Sequence, residues 1–181
     1  MSNTTTKSTG TSATAAATTA GSSRRLRTGA GLMAIAGLAF VGYGIVFFSR
    51  NYTDQFLELG IGANEVSVGR TEIFEFSPSL FHYLSHLHIA VSGFIAAAGV
   101  AVAALAWYGV RRGQLWAWVT AVAVPVLGLG VALPAHYPND FDTLPHLGPI
   151  YLATVIFVAG ALYALPGVVR GRDTSTTSMG G

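Results

Sequence analysis

Residues 77–108 read SPSLFHYLSHLHIAVSGFIAAAGVAVAALAWY, thirty-two positions without a single Asp, Glu, Lys or Arg. Ser77 can cap a helix and Pro78 can occupy its first position, where proline's missing N–H costs nothing. A bilayer core needs about 20 apolar residues in a helix. The run is therefore a membrane span with turns to spare. Its histidine-bearing first turns should stand in the headgroup layer or pack under a loop, and the span proper covers 85–108.

Three similar runs lie on either side. Residues 28–48 follow Arg24, Arg25 and Arg27; residues 115–134 follow the Arg111–Arg112–Gly113 turn; residues 148–167 carry Pro149 and Pro166 near their ends. The 28–48 run exceeds the apolar core of about 7–15 residues found in signal peptides, so an uncleaved first span is expected. Pro125, at the middle of 115–134, removes one helix hydrogen bond and should kink that span. The expected fold is all-α, a four-transmembrane-helix bundle over 28–168 with antiparallel neighbours across its short joins. A longer loop separates the first two spans. Before the bundle, residues 1–27 begin with a Ser/Thr/Ala/Gly tract that cannot bury enough apolar surface to order itself, and 169–181 form a flexible tail.

Composition agrees. Of 181 residues, 51% are hydrophobic and only 10% charged, whereas soluble domains carry about a quarter charged residues. There is no cysteine, which excludes disulfides, thiolate metal sites, iron–sulfur ligation and thiol catalysis.

The charges sort by side. Lys7, Arg24, Arg25, Arg27, Arg111, Arg112, Arg170 and Arg172, with Asp173 alone opposing them, flank one face of the expected bundle. Arg50 and Arg70 lie on the other with Asp54, Glu58, Glu65, Glu72, Glu75, Asp140 and Asp142. Lys/Arg-rich segments stay cytoplasmic, so both termini are placed inside a multi-pass cell-membrane protein. The acidic outer face excludes a nucleic-acid platform. Trp107, Tyr108, Trp116 and Trp118 bracket the short inner turn, while Phe81, Tyr83, Tyr137 and Tyr151 lie toward the other interface, as headgroup-layer anchors do.

Packing is expected through small residues. Gly93, Ala97 and Ala101 recur every four positions, beside a stripe of Ser92, Ala96, Val100 and Ala104, and small faces permit close helix approach in lipid. On this reading the second span is central. Gly31, Ala34 and Gly37 in the first span, Gly128 and Gly130 in the third and Gly160 in the fourth can serve similarly, within the chain or toward another copy.

All five histidines, His82, His86, His88, His136 and His146, fall at the outer half. His82 and His86 share a helix face, and His88 points roughly the opposite way. His136 ends the third span and His146 opens the fourth, so an antiparallel fold can bring them to a depth similar to that of His86. Imidazoles at an interface can simply hydrogen-bond loop carbonyls and carboxylates. Three of His82, His86, His136 and His146, with Asp140 or Asp142 supplying oxygen, can instead bind zinc or copper. Two inward histidines can ligate haem. The four apolar cores hold no charge, which argues against a transporter or channel. No phosphate-binding loop, HExxH or GxSxG motif occurs. Gly60-Ile61-Gly62 reads as a turn, and Asn51-Tyr52-Thr53 is a glycosylation triplet.

From the Arg111, Arg112, Gly113 turn with Trp116, Ala117 and Trp118, through His146, Leu147, Gly148 and Tyr151, residues 111–165 resemble the later half of the small DoxX-like four-helix membrane proteins. The stretch 77–88 extends the likeness, so it covers 28–168. The resemblance implies a compact four-span unit, often working within a larger assembly, and carries over no catalytic residue. The leading expectation is a non-enzymatic accessory or assembly subunit, without a cofactor, embedded in the lipid bilayer and offering small-residue faces to a membrane-protein partner or a second copy. The alternative is a metal- or haem-binding redox membrane protein built on the outer-face histidines.

Overall fold

The computed structural model describes residues 9–177. Its elements are α1 (Thr9–Arg50), α2 (Ala63–Val66), α3 (Arg70–Phe76), α4 (Pro78–Ala104), α5 (Leu115–Ala132) and α6 (Leu144–Thr177). A π-helical turn (Leu105–Gly109) and a 3-10 turn (Val110–Arg112) continue α4. Two further 3-10 turns, Leu133–Ala135 and Tyr137–Asn139, lead out of α5. No strand occurs among the described residues. Four helical stretches are long and apolar enough to cross a membrane: Ala20–Arg50, Pro78–Arg112, Leu115–Ala135 and Leu144–Arg170. They carry the four expected spans, the first, second and fourth with extra turns.

Those extra turns have local causes. The Ser77 hydroxyl accepts from the Leu80 N–H at 3.3 Å and Pro78 opens α4, so the span starts seven residues before 85, at its cap. Phe81 is buried there, stacked on Phe56 with ring centroids 4.9 Å apart, so the first turn packs under the long loop. Once a stable turn exists, elongation adds one hydrogen bond per residue ordered. Helix runs on beyond the expected spans at both ends of the bundle, α1 from Thr9 and α6 to Thr177. The disorder expected of residues 1–8 and the flexibility expected of 178–181 lie outside the described residues.

The packing order differs from the expectation. The central helix is α1, which runs along both α4 and α6, whereas α5 rests chiefly on the π-helical turn and only lightly on α6 and α4. The reason is where the glycines point. A β-carbon on Gly37 would stand 2.7 Å from the Gly99 carbonyl oxygen, and one on Gly44 2.7 Å from that of Ser92. A β-carbon on Gly29 would stand 2.6 Å from the Gly160 oxygen. Thus α1 presents glycines to two neighbours, and the backbones touch where a side chain would hold them apart. Within α4 the packing face runs through Ser92, Ala96 and Gly99, while Gly93, Ala97 and Ala101 face outward. Gly31, Gly128 and Gly130 likewise have nothing within 4 Å of a β-carbon.

These close approaches concentrate the core at the basic end, where Ala30, Met33, Val102, Ala106, Ala117, Phe157, Ala161 and Ala164 are buried together. Toward the acidic end α1 and α4 stay in contact through Gly44 and Ser92, while α5 rests only lightly on α4 and α6. Lipid-facing positions carry large apolar side chains, with Phe94 76% and Val131 79% exposed, as a helix surface solvated by hydrocarbon requires.

Candidate metal centre and its cavity

The segment 51–76, left without internal structure by the sequence reading, folds over the acidic end through backbone and arginine contacts. Arg50 donates from Nε to the Leu57 carbonyl at 2.7 Å and from Nη2 to the Ile61 carbonyl at 3.2 Å. Arg70 donates to the Asn51 carbonyl at 2.7 Å and stands 4.7 Å above the Phe81 ring. Asn51 is buried and its amide donates to Ser85 Oγ at 3.0 Å. Its side-chain nitrogen is therefore committed inside the fold, and the Asn51-Tyr52-Thr53 triplet is not presented for glycosylation.

Gly60 makes the decisive turn. Its φ of +78° is a left-handed conformation, and a β-carbon there would overlap the backbone of Pro145 and His146. Glycine is the residue that tolerates both conditions. The close approach sets the Leu59 carbonyl 2.7 Å from His146 Nδ1. A carbonyl only accepts, so Nδ1 is the donor in this contact. The Nε2 of His146 lies 3.5 Å from Glu58 Oε2. His136 is held in the same manner: its Nδ1 donates to the Ala132 carbonyl at 2.8 Å.

The His136 and His146 rings lie 5.0 Å apart, centroid to centroid. One nitrogen of each and one Glu58 oxygen fall within 4.8 Å of one another. Ligands about 2.0–2.1 Å from a tetrahedral zinc are roughly 3.4 Å apart, so closure on an ion asks for about an ångström of side-chain adjustment. His146 is 1% exposed. Glu58 and His136 are half-buried, so the cluster sits at the expected outer end but is partly covered by the fold and not openly exposed.

The other sequence candidates stand elsewhere. His82 and His86 are exposed on α4; the His82 ring packs edge-on to Phe81 and Phe74. Asp140 and Asp142 are exposed in the α5–α6 connection and do not join the cluster. Both histidine pairs share the acidic end, but His82 and His86 turn away from the bundle axis while His136 and His146 turn toward it. The carboxylate that joins them, Glu58, stands in the sequence as one of seven acidic residues of the outer side. Nothing in its immediate sequence marks it, because Gly60 and Arg50 bring it there. His88, opposite His82 and His86 as expected, packs its ring against Phe47 and Phe56.

Below the cluster the four long helices line an open cavity of about 470 Å³. Its wall is almost wholly apolar, from Phe40, Ile95, Val102, Pro125, Leu129 and Phe157 among others, and its acidic end is formed by Tyr43, Glu58 and His136. Phe94 and Gly128, exposed near the middles of their spans, also line it. The mouth therefore opens between α4 and α5 on the hydrocarbon-facing surface. Comparison with family models, with curated proteins and with solved structures gives no match for this chain.

Proposed function

We propose that this chain is a membrane-embedded metal-binding protein, with Glu58, His136 and His146 holding one zinc ion at the acidic end of its bundle. The observation that carries the reading is the pairing of His146 Nε2 with Glu58 Oε2 at 3.5 Å. With Nδ1 committed to a carbonyl, His146 turns Nε2 toward a carboxylate oxygen of Glu58. Such a pair needs an electrophile between its atoms, a proton or a metal ion, and a third donor from His136 favours the metal. Imidazoles whose Nδ1–H is held by carbonyls are the arrangement that orients metal ligands. Two nitrogens and one carboxylate oxygen, without sulfur, suit zinc better than copper(I). Three protein ligands leave a fourth position open, as in zinc sites that bind a further molecule.

The charge distribution supports an acidic end facing outward and cytoplasmic termini. The test is zinc titration of detergent-purified, chelator-stripped protein by calorimetry. One equivalent should bind, and Glu58→Gln or His146→Ala should weaken it by more than about 100-fold, beyond the loss typical of supporting residues alone. His82→Ala and His86→Ala should bind as the parent does. Absence of stoichiometric zinc would refute the reading, and a haem absorbance band in protein from its native membrane would favour the two-histidine haem alternative. The accessory-subunit reading keeps one support, the outward face of Gly93, Ala97 and Ala101. Crosslinking in native membranes, with Ala97→Leu as the disrupting variant, tests it.

A further inference from the structure

The cavity and the metal centre share two walls. Glu58 and His136 line the cavity, while His146 stands behind them and does not. An ion held by all three would therefore be open both to the cavity and to the surface, where the Glu58 side chain is 40% exposed, and a ligand reaching it from the cavity must be compatible with an apolar chamber entered from hydrocarbon. The third polar group at this end, the Tyr43 hydroxyl, is buried and has no hydrogen-bond partner among the described residues. A buried hydroxyl without a partner is rare in folded proteins and asks for one. Tyr43 lines the cavity, and a shift of its side chain would bring the hydroxyl to an oxygen held there.

We propose that the cavity binds a single-chain amphiphile with a carboxylate head, of the fatty-acid class. The tail lies among Phe40, Ile95, Val102 and Phe157. The carboxylate occupies the acidic end, where it completes the coordination of the ion and accepts a hydrogen bond from Tyr43. This rests on the metal-centre reading. Charge explains the choice of head group: a divalent ion opposed only by Glu58 leaves an unbalanced positive charge, which an anionic oxygen donor neutralises. Without the ion, the same head would meet the Glu58 carboxylate and be repelled, and a cationic head would be favoured instead. Size and access agree, since the volume falls within the range of small-molecule sites and the mouth between Phe94 and Gly128 faces the bilayer, where such amphiphiles reside.

The experiment measures binding of tritiated hexadecanoate to the full-length protein in detergent, stripped or loaded with zinc, with hexadecylamine as competitor. Zinc occupancy is read independently by elemental analysis. Zinc should strengthen hexadecanoate binding at least about tenfold and should weaken competition by the amine. Gly128→Leu is the blocking variant, because nothing lies within 4 Å of its β-carbon and the fold has room for it. It should abolish hexadecanoate binding and leave zinc binding unchanged. Tyr43→Phe should weaken hexadecanoate several-fold with zinc occupancy intact. If zinc binds stoichiometrically but hexadecanoate binding is absent or indifferent to it, the proposal is overturned while the metal centre stands. Tighter amine binding to the zinc-loaded protein than hexadecanoate binding also overturns it. If zinc does not bind, the metal centre and this proposal fail together.

Discussion

Replacing Gly60 with alanine should dismantle the Glu58–His136–His146 cluster without touching any of its three side chains. The backbone there has a φ of +78°, and the added methyl would overlap the Pro145–His146 backbone. A left-handed conformation costs an L side chain about 1–2 kcal/mol, and forcing an extra carbon into a packed contact about 1–3 kcal/mol. The sum, about 2–5 kcal/mol, must be relieved by moving the 58–61 turn away from the start of α6. That motion withdraws the Leu59 carbonyl from His146 and separates Glu58 from both imidazoles. Since about 1.4 kcal/mol corresponds to a factor of ten, zinc affinity should fall by roughly thirtyfold at the lower bound. The assay is zinc calorimetry alongside thermal unfolding of the detergent-solubilised protein. Gly62→Ala is the matched control two residues on. Its β-carbon would meet only Glu65 Oε2, at 3.6 Å, and its effect should stay within about 0.5 kcal/mol. Should Gly60→Ala bind zinc and unfold as Gly62→Ala does, the turn would not be what assembles the cluster.

Three further outcomes follow from the same geometry. Zinc affinity should decline on acidification, because imidazoles must lose their protons to ligate; calorimetry across a pH series should show a shallower decline for His136→Ala than for the parent. Gly99→Leu should strongly destabilise the bundle, since a β-carbon there would stand 2.5 Å from the Gly37 carbonyl oxygen. Gly93→Leu on the outward face should leave the unfolding temperature unchanged. Trp118→Phe removes the indole N–H that donates to the Ala161 carbonyl at 3.0 Å, a loss of about 1 kcal/mol. The exposed Trp116 should tolerate the same change within about 0.5 kcal/mol, as paired unfolding curves can show.

The four spans, the cap at Ser77 and Pro78, and the proximity of His136 to His146 were legible in the sequence. Each depends on local properties: runs of apolar residues, a proline where a helix begins, and a connection too short to separate the ends it joins. Which helix is central was not legible. Glycine spacing suits Gly93, Ala97 and Ala101 as well as Gly37 and Gly44, and spacing does not fix the rotation of a helix about its axis. Only the mutual fit of α1 with α4 and α6 selected one face and turned the other to lipid. The same rotation sent His82 and His86 outward. Glu58 lies in the loop after α1, and its place beside His146 depends on Arg50 holding the Leu57 and Ile61 carbonyls within that loop and on the meeting, far along the chain, of Gly60 with the start of α6. Local sequence determined where the membrane is crossed, because hydrophobic transfer acts residue by residue; the composition of the site was decided by tertiary structure, because it requires backbones distant in sequence to meet.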